Sequence, residues 1–189
     1  MEVTFPQGFY FGSATSAPQS EGARGAEHKA KDIWDLWFEL EPYKFHGGIG
    51  PADTSTFFEH WREDIELLHE TGQNSFRTSI SWSRLLPDPE GEPNPEAVEF
   101  YRSVFSTLRD EGIEPFVNLF HFDMPAVLQE RGGWESREVV DLYARYARYA
   151  FELFGDVVKR WYTFNEPIVH VECGYLQQYH YPCKVDPKA

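Results

Sequence analysis

Apolar positions recur along the chain in two alternating rhythms. From about Ser55 they fall three and four residues apart, at Phe58, Trp61, Ile65 and Leu68, and Gly72 ends the run. That spacing lines one face of a helix. A second run, Val98, Tyr101, Phe105 and Leu108, begins at Asn94-Pro95 and stops at Gly112. A capping amide followed by proline in the first helical position is the expected helix start. A third run, Val139, Tyr143, Tyr146, Ala147, Ala150 and Phe154, is capped by Ser136 and closed by Gly155. Residues 33–40 predict a shorter helix. Between these lie short segments with strand character: residues 8–12, 75–81, 115–120 and 157–164. Residues 12–25, 43–53 and 87–93 are rich in small residues, glycine or proline and read as loops.

Strands therefore end near residues 12, 81, 120 and 165, the last three about 40 and 45 residues apart, with an amphipathic helix in each interval. Such alternation predicts an α/β fold, a parallel sheet covered by helices. Four βα-type units over residues 1–189, one domain or a piece of a larger one, fit two architectures: half of a (β/α)8 barrel, or a small doubly wound sheet. No Gly-x-Gly-x-x-Gly or P-loop pattern follows a strand, which weighs against the nucleotide-binding versions.

Charge narrows the partners. Among 189 residues, 31 acidic side chains face 17 basic ones, a net −14 with histidine neutral. Nucleic acid, which needs clustered lysine and arginine, is not an expected partner. Apolar runs are short and broken by charge, so no membrane span is expected. The N-terminus has neither the basic nor the apolar stretch of a signal peptide. Cys173 and Cys183 are too few for a disulfide framework and form no Cys-x-x-Cys pair. Two reduced thiols and a cytoplasmic location are the expectation.

Chemistry gathers where the strands end. The first is followed by Gln19 and Glu21; the second carries Arg77 and runs into Ser81-Trp82; the third leads to His121 and Asp123; the fourth ends in Asn165-Glu166. In parallel α/β folds these ends share one face, where sites are built. Amides, imidazole and guanidinium beside Trp82, Phe120 and Phe122 suit a polyhydroxylated ligand. Pro167 should hold Glu166 in an extended backbone, and apolar neighbours should raise its pKa toward that of a general acid. The alternative is a carboxylate at a helix start, paired with a nearby base. His121 could equally be a hydrogen-bonded core histidine, Arg77 a partner for a buried acid, and Gln19 a plain loop residue. The histidine spacing gives no metal motif, so no metal is expected.

These segments resemble glycoside hydrolase family 1, the β-glucosidases and 6-phospho-β-glucosidases. The match is carried by Phe9-Tyr10-Phe11-Gly12-Ser13-Ala14-Thr15-Ser16-Ala17 with Gln19 and Glu21-Gly22, and by Phe76-Arg77-Thr78-Ser79-Ile80-Ser81-Trp82-Ser83-Arg84. His121-Phe122-Asp123-Met124-Pro125, Gly132-Gly133-Trp134 and Trp161-Tyr162-Thr163-Phe164-Asn165-Glu166-Pro167 complete it, in order along nearly the whole chain. The resemblance implies a (β/α)8 TIM barrel, of which this chain would be about the first four βα units, and retaining β-glycoside hydrolysis without a cofactor. It implies Glu166 as acid/base, Asn165 on the sugar 2-hydroxyl, Gln19 and His121 on the other hydroxyls, and Arg77 beside the catalytic carboxylates.

Retention needs a second carboxylate about 5 Å from the first. The family's nucleophile motif, Thr-Glu-Asn-Gly on the seventh strand, is absent, and none of Asp123, Glu21 and Glu172 matches it. A barrel usually takes about 250 residues. The isolated chain is therefore expected to be inactive or nearly so, and to need a partner: the missing C-terminal half or a second copy. Phe122 after His121, Gly174-Tyr175-Leu176 and His180-Tyr181-Pro182-Cys183 lean toward a 6-phospho-β-glucoside rather than a plain β-glucoside as substrate. A sugar-binding module without catalysis is the other reading.

Overall fold

The structure, a computed structural model, describes residues 3–22 and 28–188. Residues 23–27, the far part of the loop expected over 12–25, lie outside the described residues. Among the described residues four parallel strands lie side by side in chain order: β1 (Gly12–Ala14), β2 (Ser75–Ser79), β3 (Glu114–Phe120) and β4 (Arg160–Phe164). Helices α1 (Ala17–Ser20), α2 (Ile33–Leu40) and α3 (Phe57–Glu70) fall between β1 and β2. Next come α4 (Trp82–Leu85) and α5 (Pro95–Asp110), then α6 (Ala126–Glu130) and α7 (Arg137–Phe154) after β3, and α8 (Pro167–Tyr175) after β4.

Helix starts follow local chemistry. Asp32 accepts hydrogen bonds from the backbone N–H groups of Trp34 and Asp35 while the Asp32 N–H donates to Asp35 Oδ2, a reciprocal cap for α2. Asn94 Oδ1 takes the Glu96 N–H ahead of α5, with Pro95 in the first turn. The predicted Ser136 cap differs: its backbone is extended as a cap requires, but its hydroxyl makes no capping bond.

One side of the sheet is packed. Thr78, Val117 and Trp161 share a row, and Trp161 meets Phe151 of α7 edge-on at 5.0 Å. Phe105, Val117, Leu119, Tyr146 and Phe154 have no exposed surface. The opposite row, Ala14, Arg77, Phe116 and Arg160, faces away from this core. There Arg160 donates to Tyr10 Oη at 2.8 Å and its guanidinium lies over the Tyr10 ring. Tyr10 and Tyr162 remain 41% and 43% exposed, so this part of the inner face is open, whereas Asn118 and Phe120 further along β3 on the same face are fully buried. Among the described residues no helix is long and apolar enough to cross a membrane.

Two strands differ from expectation. Of the apolar stretch 8–12, residues 8–11 are not strand; Phe5, Phe9 and Phe11 cluster ring on ring at the surface. The strand begins at Gly12, where a Cβ would lie 1.9 Å from the Ser75 carbonyl oxygen, so β1 approaches β2 only with glycine there. The segment after it, expected as loop, holds β1 itself and α1. In the fourth unit Val157 and Val158 give their N–H groups to Phe154, finishing α7, so β4 begins later, at Arg160.

Candidate active site

Cross-ties hold the C-terminal ends of the strands together. The Thr15 N–H reaches the Arg77 carbonyl, the Ala17 N–H reaches Ser79 Oγ, and the Asn165 N–H reaches the Phe120 carbonyl. Over these ends sits a cavity of about 430 Å³ lined by Gln19, His121, Phe122, Asn165 and Glu166, with Trp34, Phe45, Asp53, Thr54 and His180 among its other walls. Gln19, His121, Asn165 and Glu166, scattered over the sequence, thus converge.

A polar chain runs across the sheet. Arg77 Nη2 donates to Asn165 Oδ1 at 2.8 Å, and Asn165 Nδ2 lies 3.5 Å from Glu166 Oε2. The guanidinium also sits 5.3 Å from the centre of the Tyr162 ring. Arg77 is not a wall of the cavity; it fixes the asparagine that is. Gln19 Oε1 accepts from the Ser16 hydroxyl at 2.7 Å, which leaves its NH2 group for a ligand.

His121 is buried, and burial, reinforced by the Arg77 charge, pushes its pKa down to about 4. The ring is neutral at pH 7. Asn118 Nδ2 donates to the Phe120 carbonyl at 3.0 Å and faces His121 Nδ1 at 3.4 Å. An amide NH2 can only donate, so Nδ1 is the acceptor and Nε2 carries the proton. His121 therefore offers a neutral donor, suited to a hydroxyl.

Glu166 departs from expectation in two ways. Its backbone is left-handed, φ 41° and ψ 63°, not extended. The cause is local: Asn165 still bonds into the strand ladder, Pro167 already begins α8, and one residue makes the whole turn. Its side chain is also exposed rather than enclosed by apolar neighbours. Phe122, with φ 68°, is the other left-handed residue in the cavity wall. Such backbone costs of order 1–3 kcal/mol and clusters at functional sites.

Other strand-end residues prove structural. Trp82 and Phe120 have no exposed surface and do not rim the cavity; Trp82 stacks on Tyr146 at 5.1 Å. Glu21 is buried, taking Arg84 Nε and Tyr101 Oη at 2.8 Å each. Asp123 is wholly buried, accepts the His121 N–H, and is pushed up to about 7 by burial and then by the Asp32 charge. Glu172 is exposed on α8. Conversely, Trp34, Phe45 and His180 line the cavity without having been singled out as site residues. Trp34 sits in an amphipathic helix, where an aromatic reads as core. The loop that carries His180 is pinned by the His180 N–H on the Cys173 carbonyl. Among the described residues no cluster of three His, Cys, Asp or Glu could hold a metal ion.

The model of glycosyl hydrolase family 1 matches residues 1–189. The 6-phospho-beta-glucosidase GmuD of Bacillus subtilis is 58% identical over 187 residues, covering 99% of this chain and 40% of that protein. Beta-glucosidase A of Thermotoga maritima is 40% identical over 178 residues, covering 94% of this chain and 40% of that one. The solved family 1 β-glucosidase from Thermotoga maritima superposes with a TM-score of 0.92, covering 96% of this chain and 41% of its own; its complex with deoxynojirimycin matches equally. The chain thus spans about 40% of the length of these curated relatives.

Proposed function

The chain belongs to glycosyl hydrolase family 1, its four βα units forming about the first half of a (β/α)8 barrel, and from this premise we propose that it carries the acid/base half of a retaining β-glycosidase site. The observation that carries the reading is the line Arg77–Asn165–Glu166 meeting Gln19 and His121 around one cavity. Gln19 and the His121 Nε2–H hold sugar hydroxyls, and Asn165, aligned by Arg77, holds the 2-hydroxyl. Glu166 gives its proton to the departing glycosidic oxygen and then takes one from water, while a carboxylate about 5 Å away attacks the anomeric carbon. That nucleophile comes from outside these 189 residues, and Arg77 lies beside its place. A 6-phospho-β-glucoside is the preferred substrate, a reading supported by the 58% identity to a 6-phospho-beta-glucosidase against 40% to a beta-glucosidase.

The test is release of p-nitrophenol from its β-glucoside and β-glucoside 6-phosphate. The chain alone should give no turnover. Adding the part of the Bacillus subtilis relative that this chain does not cover should restore it, more with the phosphorylated substrate. Glu166→Gln should lower the restored rate by about 10²- to 10⁴-fold. Robust turnover by the chain alone would refute the proposal. The open part of the inner face, with Tyr10 and Tyr162 exposed, favours a half-barrel awaiting a complement over a self-sufficient sugar-binding module.

A further inference from the structure

From Pro115 to Phe120, β3 is apolar with one polar interruption, Asn118. Asparagine is a poor strand former, and this side chain has no exposed surface. The Asn118 backbone pairs with β2 opposite Ser79 and with β4 opposite Tyr162, so the sheet does not need the amide. Nor is the amide balanced. Asn118 Oδ1 is buried without a hydrogen-bond partner among the described residues, which costs about 1–3 kcal/mol. Turning the group over would not help, because Oδ1 would then face the Phe120 carbonyl, acceptor against acceptor. What the amide does supply is N–H, to the Phe120 carbonyl at 3.0 Å and to His121 Nδ1 at 3.4 Å.

The other holds on His121 leave its ring nitrogens alone. Its N–H donates to Asp123 Oδ1 at 3.2 Å, its neighbour Phe122 has a left-handed backbone, and the Phe122 ring meets the imidazole edge-on at 5.2 Å. Among the described residues the one recorded hydrogen-bond partner of the imidazole is Asn118. We propose that Asn118 is a positioning residue that sets the tautomer of His121: offering only N–H groups to Nδ1, it places the ring proton on Nε2, the nitrogen that meets the sugar. The inference rests on the reading of the cavity as a sugar site and adds a residue to it. His121 is a wall of that cavity and Asn118 is not, so the ring edge away from Asn118 is the one a ligand touches. A sugar hydroxyl can accept from a protonated Nε2 or donate to a bare one, and the two tautomers would hold it in opposite senses. Burial and the Arg77 charge keep the ring neutral but do not choose between the tautomers. That choice follows the hydrogen bond made at the other nitrogen.

Long-range proton–nitrogen NMR on the 189-residue chain reads which nitrogen of His121 is protonated. In the unmodified chain it should be Nε2 alone between about pH 6 and 8. Asn118→Leu keeps the side-chain volume, has nothing to donate, and should lower the ratio of Nε2–H to Nδ1–H about fivefold. In the chain complemented by the part of the Bacillus subtilis relative that it does not cover, the same variant should raise KM for p-nitrophenyl β-glucoside 6-phosphate about tenfold and change kcat less. A protonated Nδ1 in the unmodified chain, an unchanged ratio in Asn118→Leu, or an unchanged KM beside a changed ratio would each overturn the proposal. The first of these needs no variant, so a failure of Asn118→Leu to fold does not shield it. If complementation restores no hydrolysis, the catalytic reading falls and the tautomer alone decides the role of Asn118.

Discussion

Two glutamates sit at strand ends of the same sheet and have opposite surroundings. Glu21, after β1, is buried and spends one oxygen on Arg84 and the other on Tyr101. Arg84 is closed in turn by the Gly22 carbonyl and the Phe58 ring. Glu166, after β4, is exposed, has a left-handed backbone, and has Asn165 at 3.5 Å as its nearest recorded hydrogen-bond partner. The first carboxylate has no capacity left for a ligand. The second has nearly all of it. Position at a strand end is shared; what separates framework from chemistry is whether the hydrogen-bonding capacity is already used.

The contrast can be broken most directly through Arg84. Arg84→Met leaves the Glu21 charge buried without its partner and should cost about 3–5 kcal/mol in urea unfolding of the chain. A loss below about 1 kcal/mol would erase the distinction. Next is Asp123, whose folded pKa of about 7 lies above the ordinary carboxylate value. Between pH ~4 and ~7 the folded chain holds a proton that the unfolded chain has released, so this group makes stability fall as pH rises, by at most about 1.4 kcal/mol per unit. Asp123→Asn should remove that decline. His121 acts in the opposite sense. Its folded pKa of about 4 is depressed, so its contribution is full above pH ~6.5 and is lost as pH falls toward 4. His121→Gln should flatten that limb in the same titration, with a smaller change at pH 7. The smallest effect belongs to Glu166: Glu166→Gln should leave unfolding within about 0.5 kcal/mol of the parent chain. A larger loss would place it in the framework beside Glu21.

The long helices were legible because their apolar stripes and end signals agree: α3 falls where the stripe puts it, and α5 starts on its Asn94-Pro95 cap. The first strand was not. The Phe-rich stretch 8–12 is more apolar than Gly12–Ala14, but pairing with β2 is decided by close approach at Gly12, which hydrophobicity does not encode. Of the site, the convergence of Gln19, His121, Asn165 and Glu166 could be read from strand ends. Trp82 could not be excluded in advance, because the short turn of α4 that swings it into the core carries no periodic signal. His180 comes from a loop after α8, where sequence spacing says nothing about what folds back.

The turn at Glu166 has a consequence for how such a gene drifts. Glycine would adopt that backbone without strain, and asparagine does so more readily than glutamate. Substituting either would relieve roughly 1–2 kcal/mol, so in a lineage selected only for abundance the acid side chain would be among the first to disappear. Finding whether relatives keep glutamate there therefore separates a position chosen by folding from one chosen by chemistry.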